Sequence, residues 1–157
     1  MSDPTVVHST FVLTRIYSKP PAKVFAAFSD PGKKRRWYAD NRSNETVSYE
    51  LDFRPGGAEH ARFRMGPTTP FPGTEIVNDG YHLDIVTDRR IVAAHTMAMA
   101  GRRFSAALTT FEFRESGGGT ELVFIHQGVF FEGADGPKMR EEGWRKLLDN
   151  LGSALAD

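Results

Sequence analysis

Residues 137–156 read "PKMREEGWRKLLDNLGSALA" and form the longest helical pattern in the chain. Its apolar side chains recur every three or four positions, which places them in one stripe along a helix about 30 Å long: Trp144, Leu147, Leu148, Leu151 and Leu155. Such a stripe must be covered by another element. Because the other helical patterns are short, the covering element is predicted to be a β-sheet.

The sheet is predicted from apolar and polar residues that alternate through most of the chain before this helix. The alternation indicates a hairpin around the turn "RPGGAE", residues 54–59. It continues in strands expected at about residues 75–87, 90–100, 103–115 and 120–130. Parallel neighbours need long crossovers, and the links here are short, so an antiparallel meander is expected.

The N-terminal part of the chain is predicted to add a strand and two short helices. "HSTFVLTRIYS", residues 8–18, is rich in β-branched and aromatic residues and predicts a long strand. "KPPAKVFAAFSD", residues 19–30, changes to a helical period. Asp30 and Pro31 are typical of an N-cap and a first helical position, so a second short helix is expected to follow and to carry the run "KKRR".

The four consecutive cations of this run, residues 33–36, raise the question of nucleic-acid binding. Successive helical residues lie about 100° apart, so four in a row fan around the helix and cannot form one basic face. The chain also carries 20 Lys and Arg against 20 Asp and Glu, a formal net charge of zero. We therefore interpret the run as a solvated helix face and expect no nucleic-acid partner.

The 157 residues have the length of one domain, and a single domain over residues 1–157 is predicted. The chain has no cysteine, its N-terminus lacks the pattern of a signal peptide, and no apolar run is long enough to span a membrane. We expect a cytoplasmic protein with no membrane insertion. A sheet edge near the first strand, or the loop "TTPFPG", could support a homodimer.

Four motifs, spread over nearly the whole chain, resemble those of a known family. "RIYSKPPAKVFAAFSDPGKKRRWY" resembles its opening strand and two helices, "LDFRPGGAEHARFRM" its Asp-x-Arg-x-Gly-Gly hairpin, "GGGTELVFIHQG" its penultimate strand and "GWRKLLDNLGSALA" its final helix. The chain thus resembles the activator of heat-shock-protein-90 ATPase homologue family, in the START-like (SRPBCC) superfamily. The resemblance implies an α+β helix-grip fold, in which a curved antiparallel sheet of six to seven strands wraps around the C-terminal helix.

The resemblance also implies a cavity between sheet and helix that takes small apolar molecules. The side chains predicted to line it are large or polar groups from the concave face, both tryptophans and one leucine: Trp37, Phe53, Phe63, Met65, His95, Met97, Phe111, Phe113, Phe124, His126, Trp144 and Leu148. A stripe of aromatic and methionine side chains is also typical of a packed core, and this alternative stays open. His95 stands where the family pattern has a bulky aromatic residue, which alters the expected polarity of the cavity.

His95 and His126 could orient a ligand in a mostly apolar pocket, or could be ordinary hydrogen-bonded histidines of a core. The histidines at positions 8, 60, 82, 95 and 126 do not have metal-binding spacing, and no metal or cofactor is expected. No G-x-S-x-G motif marks a nucleophile, so no catalytic residue is assigned. The Gly-rich segments "RPGGAE" and "ESGGGT" are interpreted as hairpin turns rather than phosphate loops.

The leading functional hypothesis is a module that binds a small hydrophobic or amphipathic molecule without a cofactor. One alternative is an enzyme of the cyclase or hydrolase type found in the superfamily, with His95 or His126 as acid or base. The other alternative is an interaction protein, because the family name implies activation of a chaperone ATPase. Only the resemblance supports a chaperone partner.

Overall fold

A seven-stranded antiparallel sheet dominates the computed structural model, which describes residues 6–40 and 43–156. Its strands are β1 (Val7–Tyr17), β2 (Glu45–Leu51), β3 (Ala58–Arg64), β4 (Glu75–Val86), β5 (Arg90–Met99), β6 (Arg102–Ser116) and β7 (Gly119–Phe130). The order across the sheet is β1-β7-β6-β5-β4-β3-β2. The predicted meander is confirmed for β2 to β7, and β1 is added at the far edge by pairing with β7.

Two short helices follow β1, as predicted: α1 (Pro21–Ser29) and α2 (Pro31–Lys34). Asp30 separates them, because its backbone is extended and its Oδ1 accepts a hydrogen bond from Lys33 N at 3.1 Å, which caps α2. The chain then widens into a π-helical turn over Arg35–Ala39, closed by a bond from Asp40 N to Arg35 O at 2.8 Å.

The long C-terminal helix α3 (Pro137–Ala156) lies in the concave face of the sheet, which confirms the predicted helix-grip fold of α+β class. Leu147, Leu148 and Leu151 of its apolar stripe are buried, and Trp144 and Leu155 pack partly buried against the same cluster. The helix is also fixed by a buried hydrogen bond, in which Tyr17 Oη donates to Leu148 O at 2.7 Å.

The hydrophobic core occupies the side of the molecule where α1 and the end of β1 meet α3. Phe28 is its centre: its ring lies 5.1 Å from Trp37 and 5.3 Å from Phe113, measured between ring centroids, with edge-to-face geometry. Trp37 Nε1 donates to Ala27 O at 2.8 Å, so the indole is both buried and hydrogen-bonded. The rest of the concave face, beside the N-terminal half of α3, is not filled by this cluster.

The interpretation of the "KKRR" run as a solvated face is wrong for one of its four residues. Lys33 and Arg36 are exposed, and Arg35 pairs with Asp40 at 3.1 Å, but Lys34 is buried with 6% of its surface exposed. The reason is that the four side chains point in different directions around the helix. When cations surround a helix that packs against a core, one of them must point inward. Lys34 does so.

The Gly-rich segments form hairpin turns, as predicted. "RPGGAE" joins β2 to β3 with Gly56 at φ 81°, a conformation that favours glycine, and "ESGGGT" joins β6 to β7. Asp52 and Arg54 beside the first turn form an exposed ion pair at 2.9 Å. In the described ranges, none of the helices combines the length and the apolar character that crossing a membrane requires.

Candidate functional site

A cavity of about 630 Å³ lies between the concave face of the sheet and the N-terminal half of α3. The sheet contributes a mixed lining of charged, polar and apolar side chains: Glu59, Asn78, His95, Met97, Ser105, Ala107, Thr109, Phe111 and His126. The helices contribute Lys34, Tyr38, Met139, Arg140, Gly143, Trp144, Lys146, Leu147, Asp149 and Asn150. The volume is in the range of pockets that hold small organic molecules.

The cavity opens to solvent along α3. Met139, Gly143, Lys146 and Asp149 line it and are themselves exposed. At Gly143 an added Cβ would meet no atom within 4 Å, although a glycine inside a helix costs roughly 1 kcal/mol relative to alanine. The helix therefore leaves free space beside Trp144, at the mouth of the cavity.

Three buried polar atoms of the lining have no hydrogen-bond partner among the described residues: Asn78 Oδ1, His95 Nδ1 and His126 Nδ1. They come from three different strands, β4, β5 and β7. Buried polar groups are hydrogen-bonded in the great majority of cases, so each exception calls for an explanation. Here all three atoms belong to residues that line the same cavity, where a bound molecule could supply the missing partners.

Gly80 sets the position of His95. The two residues are paired across β4 and β5, and a Cβ on Gly80 would lie 2.3 Å from His95 Nδ1. Because Gly80 has no side chain, the imidazole can lie over β4. Burial lowers the pKa of His95 to about 4, and Lys34 adds to this effect while Glu59 opposes it. The ring is therefore neutral at pH 7.

His126 is held by aromatic stacking on the same concave face. Its ring lies 4.7 Å from that of Phe11, at an interplanar angle of 8°, and only 1% of the residue is exposed. Burial, followed by the nearby Arg140 cation, lowers the pKa of His126 to about 4. The cavity thus contains two neutral imidazoles.

Lys34 and Glu59 form a buried ion pair at one side of the cavity. Lys34 Nζ donates to Glu59 Oε2 at 2.9 Å and lies 4.7 Å from the centroid of the Tyr38 ring. Tyr49 Oη donates to the same carboxylate oxygen. Burial by itself would raise the pKa of Glu59, but the Lys34 cation and these hydrogen bonds lower it to about 2. Glu59 is therefore a carboxylate at pH 7, and its charge is balanced by the Lys34 side chain bonded to it.

Arg140 forms the second charge pair, near the first turn of α3. Its guanidinium donates to both oxygens of Asp135 at 2.8 and 2.9 Å, and to Ser105 Oγ at 2.9 Å. The guanidinium carbon also lies 5.0 Å from the centroid of the Phe130 ring. Arg140 thereby ties the start of α3 to β6 and β7, and its charge is neutralised.

The structure brings only part of the sequence-predicted lining to the cavity. His95, Met97, Phe111, His126 and Trp144 line it. The remaining predicted residues lie outside the lining: Trp37, Phe63, Phe113, Phe124 and Leu148 are buried in the core, Phe53 packs between Phe25 and His82, and Met65 follows β3. For these residues other than Met65, the packed-core alternative describes the observed position.

The predicted lining consisted mainly of large apolar side chains and did not include the charged and amide groups that the structure places there. Glu59 has the same strand parity as the buried Ala61 and Phe63, and Asn78 the same parity as Gly80. That alternation was a usable signal for both residues. The spacing of α3 was a usable signal for Arg140 as well, because Arg140 lies four positions before Trp144 on the same helix face.

The sequence of this chain is similar to one known protein family. A family model described as "Activator of Hsp90 ATPase homolog 1-like protein" matches residues 18–156. None of the curated proteins compared with the chain matches it.

Among residues 6–40 and 43–156, no His, Asp and Glu side chains gather into a group that could hold a metal ion.

Several solved structures are similar over nearly the full chain. An uncharacterized protein from Rhizobium leguminosarum shares 37% identity, with 96% of each chain covered and a TM-score of 0.89. A protein from Rhizobium loti shares 42% identity over 96% of this chain and 99% of its own, with a TM-score of 0.85. A protein from Chromobacterium violaceum, 23% identical with a TM-score of 0.72 over 94% and 97% of the two chains, shares the fold.

Proposed function

Because this chain belongs to the family of activator of Hsp90 ATPase homolog 1-like proteins, we propose that it uses the cavity of the helix-grip fold to bind a small amphipathic molecule. One observation carries the proposal. Three residues that line a cavity of about 630 Å³, Asn78, His95 and His126, each carry a buried polar atom that has no partner among the described residues. A ligand that bonds to them would remove a desolvation cost of about 1–3 kcal/mol per group.

The two kinds of lining support an amphipathic ligand over a purely apolar one. Trp144 and Leu147 of α3 and Phe111 of β6 offer apolar surface, whereas the orphaned polar atoms belong to side chains of β4, β5 and β7. A hydrocarbon would leave those atoms unpaired. A molecule with an apolar body and a polar group satisfies both.

Mass spectrometry of the protein under native conditions, taken directly from cells, tests this proposal. We expect a stoichiometric small molecule, which denaturation then releases for identification. Gly143→Leu is the informative variant, because Gly143 lines the cavity mouth and a Cβ added there meets no atom within 4 Å. Glu142→Leu is the matched control, since it adds the same side chain to the neighbouring exposed position outside the lining.

The variant should lose the passenger while the control keeps it. Circular dichroism and urea denaturation should show that both remain folded, because leucine has a higher helix propensity than glycine. Equal loading of the wild-type protein and Gly143→Leu would contradict the cavity as the binding place. An empty wild-type protein that also binds none of the probe molecules described below would contradict binding itself.

Acid–base catalysis is the second candidate, favoured by the two imidazoles that are neutral at pH 7. A neutral imidazole can accept a proton from a substrate within hydrogen-bond reach. If the identified passenger is converted over time, His95→Gln and His126→Gln should each slow the conversion. Unchanged turnover in the double variant would exclude this role. Activation of a chaperone ATPase stays a prediction from the family description, and an ATPase assay with the purified chaperone tests it.

A further inference from the structure

We propose that the ligand of this cavity is an uncharged molecule bearing hydroxyl groups, which face Asn78, His95 and His126. The inference rests on the binding function proposed above and specifies the chemical class of the ligand. It follows from three properties of the lining: its charges, its free hydrogen-bonding atoms and its aromatic surface.

The charges that line the inner cavity are already paired. Lys34 is bonded to Glu59 at 2.9 Å, and Arg140 forms a bidentate pair with Asp135. An ionic group in the inner cavity would have to compete for one of these partners or remain uncompensated, because Lys146 and Asp149 of the lining lie exposed at the mouth. Removing one charge of a buried pair is costly, so an ion in this position is strongly disfavoured.

The histidines do not supply a compensating cation. Burial keeps both rings neutral at pH 7, as described above. A carboxylate or phosphate would therefore meet no free positive charge beside Asn78, His95 or His126. An ammonium group would likewise meet no free carboxylate there, because Glu59 is engaged by Lys34 and Tyr49.

The free atoms select for a group that both donates and accepts. Asn78 Nδ2 donates to Tyr38 Oη at 2.7 Å, so the amide oxygen is the atom left without a partner, and an oxygen needs a donor. Each neutral imidazole has one donor and one acceptor nitrogen. A ketone or ether cannot donate to Asn78, whereas a hydroxyl can donate to the amide and pair with either imidazole nitrogen.

The apolar body of the ligand is expected to lie against the aromatic side of the cavity. The rings of Trp144 and Phe111 both line it, with 5.8 Å between their centroids. Aromatic side chains favour offset or edge contacts with a flat ring. A phenol, or an alcohol attached to a ring system, combines this body with the required hydroxyl.

Calorimetric titration at pH 7 with three naphthalene derivatives tests the inference: 2-naphthol, 2-naphthoate and 2-naphthylmethylammonium. They share one ring system and differ mainly in the charge of the attached group. We expect 2-naphthol to bind at least tenfold more tightly than either ion. Equal or tighter binding of the carboxylate or the ammonium would overturn the inference. The proposed binding function would still stand if Gly143→Leu abolished the binding of that ion.

Variants of the polar lining test the hydrogen bonds. His126→Phe keeps a ring to stack on Phe11 but removes both nitrogen atoms, and Asn78→Leu removes the unpaired oxygen. Each should weaken the binding of 2-naphthol about tenfold, because the buried hydroxyl of the ligand would lose a hydrogen-bond partner. Unchanged affinity in both folded variants would overturn the inference. If one variant fails to fold, the other decides.

The experiments distinguish failure of the proposed ligand class from failure of the proposed binding function. Preference for an ion refutes the class alone. If no probe binds the wild-type protein and no passenger is found in the protein from cells, the binding function fails, and the inference fails with it.

Discussion

Lys34 shows how a single residue can contradict the character of the run around it. Its three neighbours in "KKRR" face solvent or an exposed partner, while Lys34 Nζ is buried against Glu59 and three aromatic rings. The sequence predicted that the four cations fan around a helix. It could not indicate which of them meets a carboxylate, because Glu59 lies on another element, 25 positions away.

Removing either partner of this pair should strongly destabilise the fold. Glu59→Gln leaves the Lys34 cation buried without a counter-charge, and Lys34→Met leaves the carboxylate in the same situation. We expect each to lower the free energy of unfolding by roughly 3–5 kcal/mol, measured by urea denaturation. The double variant Lys34→Met/Glu59→Gln should lose much less than the sum of the two single losses. Additive losses would show that the two groups are not coupled.

Gly80→Ala should disturb His95 specifically. The new Cβ would lie 2.3 Å from His95 Nδ1 and 2.9 Å from Ala94 O, so the imidazole must move. We expect a loss of about 1–3 kcal/mol in the free energy of unfolding, as for other overpacked sites. In the background His95→Ala the same substitution should cost less, because the ring is gone. An equal cost in both backgrounds would place the strain in the backbone.

At the scale of the elements, periodicity was a sufficient guide. The strands and helices were predicted within a few residues, because alternation reports the buried face of a strand and a three-to-four spacing reports that of a helix. Asp30 and Pro31 marked the boundary between α1 and α2 through cap chemistry alone. The π-helical turn at Arg35–Ala39 was not predicted, because "RRWYA" has no local signal for a wider turn.

The two glycines of α3 offer a matched comparison of helix propensity and packing. Gly143 has open space at its Cβ position, whereas a Cβ on Gly152 would lie 3.3 Å from the Tyr17 ring. Gly143→Ala should therefore raise the free energy of unfolding by about 1 kcal/mol, in urea denaturation of the protein without ligand. Gly152→Ala should raise the free energy of unfolding by less, because the Tyr17 ring must move to admit the new Cβ. A loss at Gly143 would mean that the helix needs flexibility there.

At the scale of the whole molecule, the division between core and cavity could not be predicted from the sequence. Phe111 and Phe113 both belong to the core cluster and have the same parity on β6, but only Phe111 also lines the cavity. Phe28 of α1 packs against both rings. Phe113 also meets Phe25 of α1, whereas Phe111 meets Trp144 of α3 beside the cavity. Such a difference arises only when distant elements assemble.

Stability should fall in mildly acidic solution. His95 and His126 have a pKa of about 4 in the fold against an ordinary value of 6.5, so between these values the unfolded chain binds protons that the folded chain does not. Their contribution is complete above pH 6.5 and is lost as the pH falls to about 4. Each adds a slope of at most ~1.4 kcal/mol per pH unit.

Urea denaturation between pH 7.5 and 3 measures this slope. The variant His95→Gln/His126→Gln should show a flatter dependence above pH 4.5. Glu59, with its pKa lowered from 4.5 to about 2, extends the loss to lower pH and should still do so in the variant. The same slope in both proteins would assign the acid sensitivity to other groups.

The pairing of β1 with β7 has a consequence for how the protein is made. The two strands are in register along their whole length, from Val7 opposite Phe130 to Tyr17 opposite Thr120. A ribosome releases β1 early and β7 more than a hundred residues later, so during most of synthesis the first strand has no partner in the sheet. We therefore expect the sheet to close only after translation has passed Phe130, and a nascent chain that stalls before Gly119 to expose an unpaired, aggregation-prone strand.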